Sequence, residues 1–204
     1  MKPILSTILG SILMCVAAQP APAQEVAAYL GFGGSHDGSA GIQIDTYGDG
    51  NLYKTPGLGG VFGHLGGSAF FTKHVGVGAD LAWQASQASY AGIPYRPMLY
   101  SFDAIFRLSM VQRLRLVPEF HTGIGGATLR FNPVDDASCA QVPGCPSSHK
   151  FQEHLAAAPR WYFTGHFFLR PAFDLYHVHN LSEFGSNWVP QYSVGIGYSV
   201  GRKE

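Results

Sequence analysis

The residues best suited to chemistry lie close together near the C-terminal end of the chain. His177, His179, Ser182 and Glu183 occupy one short stretch. A serine becomes a nucleophile when a neighbouring histidine accepts its proton, and a carboxylate can orient that histidine. The stretch therefore contains the parts of a hydrolytic site. A polar transition from a strand to a loop explains the same residues, and we favour it, so no catalytic residue is assigned.

Nine histidines raise the question of a metal site. His177 and His179 are two residues apart, so on a strand they share one face. His64, His121 and His154 fall on the polar faces of their own segments. We find no acidic or thiol residue at the spacing of a metal ligand. The histidines are therefore expected to serve in hydrogen bonds, with no metal and no cofactor.

The first 23 residues have the pattern of a secretory signal peptide. An apolar core over residues 4–18 is followed by the small residues 21–23, in the order that signal peptidase requires. The apolar run is short for a membrane anchor. The residues before Cys15 do not fit lipoprotein processing. We expect cleavage after this segment, which leaves one domain over residues 24–204.

Two cysteines remain after that cleavage, Cys139 and Cys145, in a loop rich in turn residues. In an exported protein, two cysteines this close most simply form a disulfide. A zinc site is disfavoured because His149 alone lies near as a further ligand. The sequence therefore predicts a Cys139–Cys145 disulfide at the tip of a loop.

The composition excludes several classes of protein. Charged residues make up 13% of the chain, about half of the roughly 25% that is usual for a soluble domain. Because 13 basic side chains balance 13 acidic ones, the chain lacks the excess of basic charge typical of a nucleic-acid-binding protein. Its hydrophobic share of 46% argues against disorder. With 26 glycines and many aromatic residues, the composition indicates a β protein.

Alternation of apolar and polar residues predicts eight strands. The alternation is strictest over Gln191–Val200, where every second residue is apolar and the residues between are Gly, Ser or Gln. No apolar stripe of helical period occurs after the signal segment. The predicted strands cover residues 26–33, 60–71, 75–84, 100–108, 114–124, 154–163, 167–175 and 191–200.

The predicted connections alternate between long and short. Long ones fall at residues 35–59, 85–97, 132–150 and 179–188, and short ones at 72–74, 109–113 and 164–166. Transmembrane barrels combine strands of about ten residues with short periplasmic turns and longer external loops. The prediction is therefore all-β: an eight-stranded antiparallel up-and-down transmembrane β-barrel with four long external loops and short periplasmic turns.

The composition of the two strand faces indicates which face is outside. The apolar face carries aromatic residues suited to the membrane–water interface: Phe71, Trp83, Tyr100, Phe120, Trp161, Phe163, Phe167, Tyr192 and Tyr198. The polar face is too lightly charged for a soluble exterior. Its acids and arginines are equal in number, as expected of ion pairs in a lumen: Asp80, Asp103, Glu119 and Asp174 against Arg107, Arg115, Arg160 and Arg170. Since eight strands enclose space only for side chains, this lumen should be largely closed.

The last strand resembles the C-terminal signal that the barrel-assembly machinery recognises. Residues 193–200 (SVGIGYSV) have its glycine, aromatic and terminal hydrophobic positions, with Val200 in place of the usual phenylalanine. The chain after the signal peptide resembles the small eight-stranded barrels of the OmpA/OmpX superfamily, particularly the "outer membrane protein β-barrel domain" group. That resemblance implies a monomer in the bacterial outer membrane. The implied partners are outer-membrane lipid, lipopolysaccharide and the assembly machinery, without nucleic acid.

Among such barrels, the lipid A deacylases use a His-x-Ser pattern. Here Ser182 follows His179 by three residues, which departs from that pattern. We therefore expect a non-enzymatic barrel whose external loops serve surface interaction or envelope integrity. The alternatives are a deacylase-like hydrolase using His179, Ser182 and Glu183, and a narrow channel.

Overall fold

The computed structural model describes residues 24–36, 43–45, 50–54, 58–90, 93–132, 147–179 and 188–201. The predicted signal peptide, the cysteine pair, Ser182 and Glu183 all lie outside these ranges, and the expectations for them stay predictions. Across the described ranges, no helix has the length and apolar character needed to cross a membrane.

Thirteen strands form in the described part of the chain. They are β1 (Glu25–Ser35), β2 (Gln43–Ile44), β3 (Tyr53–Lys54), β4 (Gly60–Phe70), β5 (Val75–Gln84), β6 (Ala88–Tyr90), β7 (Ile93–Arg107), β8 (Leu116–Val117), β9 (Glu119–Phe131), β10 (Ser147–Ala157), β11 (Arg160–Tyr162), β12 (Phe167–Val178) and β13 (Trp188–Val200).

Eight of these strands close into a barrel. β1, β4, β5, β7, β9, β10, β12 and β13 each pair antiparallel with their neighbours along the chain, and β13 pairs with β1 to close the ring. β8 and β11 prolong β9 and β10, while β2 and β3 form a separate hairpin. The predicted all-β antiparallel eight-stranded barrel is confirmed. We call the end where β1 begins and β13 ends the terminal end, and the opposite end the distal end.

The predicted alternation decides which side chains face outward. Along β13, buried and exposed residues alternate from Val189 to Val200. Ile196 is 58% exposed and lies beside Leu30 of β1 and Leu169 of β12. The apolar face of the sheet is thus on the outside of the ring, and its polar residues are enclosed.

The boundaries of several strands differ from the prediction. β7 begins at Ile93 and β10 at Ser147, so parts of the predicted loops 85–97 and 132–150 are strand. The distal half of β7 was missed because its inward residues, among them Tyr95 and Leu99, are also apolar, which removes the contrast between faces on which the prediction depends.

The predicted strand 114–124 was placed too early, since β9 begins at Glu119. A 3-10 turn over Gln112–Leu114 precedes it and ends at Arg115, which has a left-handed φ of 49°. Pro118, just before β9, has no amide N–H to give to a ladder. Both residues interrupt an extended chain that the side-chain pattern alone suggests.

The predicted strand 154–163 is also interrupted. Its pairing with β12 stops at Ala157–Phe173 and resumes at Trp161–Leu169. Pro159 falls in this gap, and proline removes a ladder donor. The break locally weakens the wall of the barrel but preserves the alternation of faces, since Arg160 still points inward and is fully buried.

In the described part of the chain, side chains fill the interior of the barrel up to a cavity at its terminal end. A buried apolar cluster, which we call the distal cap, occupies the distal end: Leu58, Phe62, Ala82, Ile93, Tyr95, Leu99, Ala127, Leu129, Phe131, Tyr176, Val178 and Val189. Charged residues fill the middle and the terminal end, where Tyr29, Tyr162 and Phe168 pack around them. The sequence predicted a polar lumen and did not predict this cap.

Candidate functional site

Two pairs of opposite charges form a compact cluster inside the terminal end of the barrel. Arg107 Nη1 lies 2.6 Å from Glu25 Oε2, and Arg107 Nε donates to Glu119 Oε1 at 2.8 Å. Arg160 Nε lies 2.9 Å from Glu119 Oε2, and Arg160 Nη1 donates to Glu25 Oε1 at 3.3 Å. Each arginine therefore contacts both glutamates. We call these four residues the terminal ion cluster.

Neighbouring side chains add further contacts to the terminal ion cluster. Ser68 Oγ accepts a hydrogen bond from Arg160 Nη2 at 2.8 Å, and Tyr162 Oη donates to Glu25 Oε1 at 3.0 Å. The Arg107 guanidinium lies 3.6 Å from the centroid of the Phe70 ring, a favourable cation–π geometry. Because buried charges are costly unless they are paired and hydrogen-bonded, these contacts make the cluster tolerable inside the barrel.

A second group of charges, centred on His154, fills the middle of the barrel. His154 Nδ1 lies 2.8 Å from Asp103 Oδ1, and its Nε2 lies 3.3 Å from Asp174 Oδ1. A ring that donates from both nitrogens must carry both protons, so this geometry is that of an imidazolium. The Tyr176 ring stacks on His154 at 4.6 Å, and Ser101 donates to Asp103 at 2.9 Å. His154 thus acts as a cation between two aspartates.

Arg170 supplies further positive charge to this middle group. Its guanidinium lies 4.1 Å from the Tyr29 ring centroid, and its Nη2 lies 4.0 Å from Asp80 Oδ1. Gly66 makes this arrangement possible, since a side chain there would collide with the Tyr29 hydroxyl and with Asp80. This glycine leaves the space in which Tyr29 and Asp80 lie side by side.

The structure places seven of the eight predicted lumen residues in the interior and changes the balance of charge. The prediction that Arg115 faces the lumen is wrong. Arg115 lies exposed in the turn before β9, because that segment is not a strand. Asp103 contacts His154 and not one of the predicted arginines. Glu25 was missed, although its alternation with Ala27 places it on the inward face.

Within the described ranges the lumen therefore holds five carboxylates and three guanidinium groups. The carboxylates belong to Glu25, Asp80, Asp103, Glu119 and Asp174, and the guanidinium groups to Arg107, Arg160 and Arg170. The equality of acids and arginines expected from the sequence does not hold. The imidazolium of His154 contributes the positive charge that the missing arginine would have supplied.

The nine predicted girdle residues all lie on the outward face. Phe167 and Tyr198 touch edge to face, with centroids 4.9 Å apart, at the terminal end. Trp83 is only partly exposed because its ring covers Gly63. Tyr100 lies in the middle of β7, away from either end. Six of the nine predicted residues lie towards the terminal end, so these nine do not form a symmetrical girdle: Phe71, Phe120, Trp161, Phe163, Phe167 and Tyr198.

Two groups of side chains in the described ranges bring metal-ligand atoms together. Asp80, Asp103 and His121 meet inside the barrel, where Arg170 already contributes positive charge beside Asp80. Glu153, His177 and His179 meet on the outward face at the distal end. The acidic partner of the two histidines was missed because it comes from another strand, β10, where Glu153 pairs with His177.

The structure bears on only one member of the predicted catalytic group. His179 lies in the turn directly after β12, and its Nε2 is 3.5 Å from Glu153 Oε1. Ser182 and Glu183 are outside the described residues. Catalysis by this group stays a hypothesis.

No family model and no curated protein matches the sequence. Several solved structures match the fold. The outer membrane protein OprG from Pseudomonas aeruginosa is 13% identical, with 89% of this chain and 98% of that chain covered and a TM-score of 0.56. The N-terminal β-barrel domain of Pseudomonas aeruginosa OprF is 13% identical, with coverages of 86% and 97% and a TM-score of 0.53. Neisserial surface protein A is 9% identical, with coverages of 87% and 96% and a TM-score of 0.52.

At these identities the likeness concerns the fold. It agrees with the closed ring of eight antiparallel strands. The chain has the fold of the small eight-stranded outer-membrane β-barrels.

Proposed function

We propose that the protein is a non-enzymatic β-barrel of the bacterial outer membrane, closed to solutes, that acts through its external loops in surface interaction or envelope integrity. The observation that carries this proposal is the outward apolar face. Phe102 is 65% exposed and Ile196 is 58% exposed, and both lie in the middle of their strands. A soluble monomer rarely exposes a continuous apolar patch larger than a few hundred Å².

A bilayer accounts for this surface because lipid tails cover apolar side chains at no cost. A closed barrel also satisfies every backbone group within its ladders, which the hydrocarbon region requires. The predicted signal peptide and the fold shared with OprG and OprF support the same location.

The expected test of location combines cell fractionation with gel migration. We expect the protein in the outer-membrane fraction, and we expect the unboiled sample to migrate differently from the boiled one, because a closed barrel resists detergent until it is heated. A protein found in the soluble periplasmic fraction with one mobility before and after boiling would contradict the proposal.

The filled interior supports a closed barrel. At the terminal end, a cavity of about 640 Å³ is lined by residues that include Glu25 and Arg107, so the terminal ion cluster bounds it. Beyond it lie the group around His154 and then the distal cap. Ions would have to pass both the bound charges and an apolar layer.

We therefore expect no stepwise conductance when the purified, folded protein is incorporated into planar bilayers. The change in gel migration on boiling serves as the control that the incorporated protein is folded. Regular conductance steps from such a sample would contradict the closed lumen and favour a narrow channel.

A further inference from the structure

Three side chains with metal-ligand atoms converge on the outward face near the distal end. His177 Nδ1 lies 3.3 Å from Glu153 Oε2, and His179 Nε2 lies 3.5 Å from Glu153 Oε1. The two imidazole centroids are 4.7 Å apart. All three ligand atoms lie within 4.8 Å of one another. The group combines two nitrogen ligands with one carboxylate.

These separations fit a tetrahedral metal ion. Zinc binds histidine nitrogen and carboxylate oxygen at about 2.0–2.1 Å, so two ligands at the tetrahedral angle are about 3.3 Å apart. His177 Nδ1 is 3.3 Å from Glu153 Oε2 and His179 Nε2 is 3.5 Å from Glu153 Oε1, so each histidine is close to a different oxygen of the same carboxylate. A small rotation of the rings would direct all three ligand atoms at one point.

The backbone and the surrounding rings hold these side chains in place. Glu153 and His177 are directly paired across the β10–β12 ladder. The backbone N–H of His179 donates to the Phe151 carbonyl at 2.9 Å. The Trp188 ring packs on His177 at 4.5 Å, and the Phe151 ring packs on His179 at 5.4 Å. Ligands on strands and fixed by packing lose little freedom when an ion binds.

Ion pairing alone does not explain why these three side chains lie together. Glu153 is half exposed, with 55% of its side chain accessible, and exposed ion pairs contribute little to stability. His179 Nε2 has no hydrogen-bond partner among the described residues, although it is sheltered from solvent. That nitrogen has a free electron pair directed at the group when its ring is protonated on Nδ1.

We propose that Glu153, His177 and His179 bind one divalent transition-metal ion on the outer wall of the barrel. Two imidazoles with one carboxylate suit Cu²⁺ and Zn²⁺, and Cu²⁺ is bound more tightly by a given set of ligands. The three protein ligands leave a fourth position open to water or to an exogenous ligand. We call this group the outer-wall metal site.

Trp188 provides the reporter for a test, because bound Cu²⁺ quenches the fluorescence of a nearby indole. Untagged protein folded in detergent is titrated with CuCl₂. We expect quenching that saturates at one equivalent. His177→Ala and His179→Ala should each weaken binding at least about tenfold, the smallest loss usual even for residues that only orient a metal's ligands. Glu153→Gln should also weaken the binding of Cu²⁺.

His149→Ala is the matched control. His149 lies on the same strand and face as Glu153 but four residues away, which is about 13 Å along a strand. This variant should bind Cu²⁺ like the unchanged protein. Trp188→Phe should lose most of the quenching, because it removes the indole that reports the bound ion. Each variant is first shown to be folded by its change in gel migration on boiling.

Spectroscopy gives a second measurement. The electron paramagnetic resonance spectrum of the Cu²⁺ complex should show coupling to two imidazole nitrogens, reduced to one in either histidine variant. Binding that never saturates, or affinity and spectra unchanged by His177→Ala and His179→Ala, would overturn the proposal. These results would leave the assignment of the barrel to the membrane unaffected.

Discussion

Replacing Arg160 by alanine is expected to destabilise the folded barrel by about 3–5 kcal/mol, the usual cost of removing one partner from a buried ion pair. Arg160 is fully buried and contacts both glutamates of the terminal ion cluster. Its removal leaves Arg107 as the one guanidinium group that contacts Glu25 and Glu119 among the described residues. It also takes the partner from Ser68. The free energy of unfolding is measured by urea titration of the protein in lipid vesicles, followed by tryptophan fluorescence.

Arg115→Ala is the matched control, because it removes the same side chain and the same charge. Arg115 lies exposed in the turn before β9. Changes at such surface positions usually stay within about 0.5 kcal/mol. Equal losses of stability in the two variants would contradict the prediction, because the loss would then not depend on whether the arginine is buried and paired.

Replacing Ile196 by arginine is expected to cost about 2–4 kcal/mol in a bilayer, the cost of a basic residue on the lipid face at mid-depth. Ile196 lies outward in β13 between Leu30 and Leu169 of the neighbouring strands. It is 58% exposed. On a surface covered by water, an arginine there would be tolerated.

Val200→Arg separates depth from exposure. Val200 lies on the same strand and the same face and is also 58% exposed, but it is the last residue of the strand. Near the interface the cost of arginine falls to about 0–1 kcal/mol. Both variants are measured by the same urea titration in vesicles. If the two substitutions lower the free energy of unfolding by the same amount, the hydrocarbon layer does not surround the barrel at the level of Ile196.

The sequence predicted the fold because its signal is local. Over residues 191–200 of β13, apolar residues alternate with Gly, Ser or Gln, so the two faces can be told apart within one strand. The same rule failed in the distal half of β7, where Tyr95 and Leu99 point inward to the distal cap. Apolar residues on both faces leave no pattern from which to infer a strand boundary.

The partners inside the lumen depend on information that a single segment does not contain. Glu25 meets Arg107 only because closure of the ring brings the start of β1 over the end of β7. Arg115 has the alternation of an inward residue, and its backbone conformation removes it from the wall. In the same way, the partner of His177 and His179 is set by the β10–β12 register. Residue types were predictable, whereas pairings required the three-dimensional arrangement.

The outward direction of the apolar face is tested most directly by spin labels along β13. Single cysteines replace Ser193, Val194, Ile196, Tyr198 and Ser199 in turn, in a chain whose own cysteines are changed to serine, and the labelled protein is folded in lipid vesicles. Labels at the three apolar positions should be accessible to oxygen, which dissolves in lipid, and inaccessible to a water-soluble nickel chelate; labels at the two serines should be shielded from oxygen. High accessibility of the Val194, Ile196 and Tyr198 labels to the nickel chelate would contradict the account.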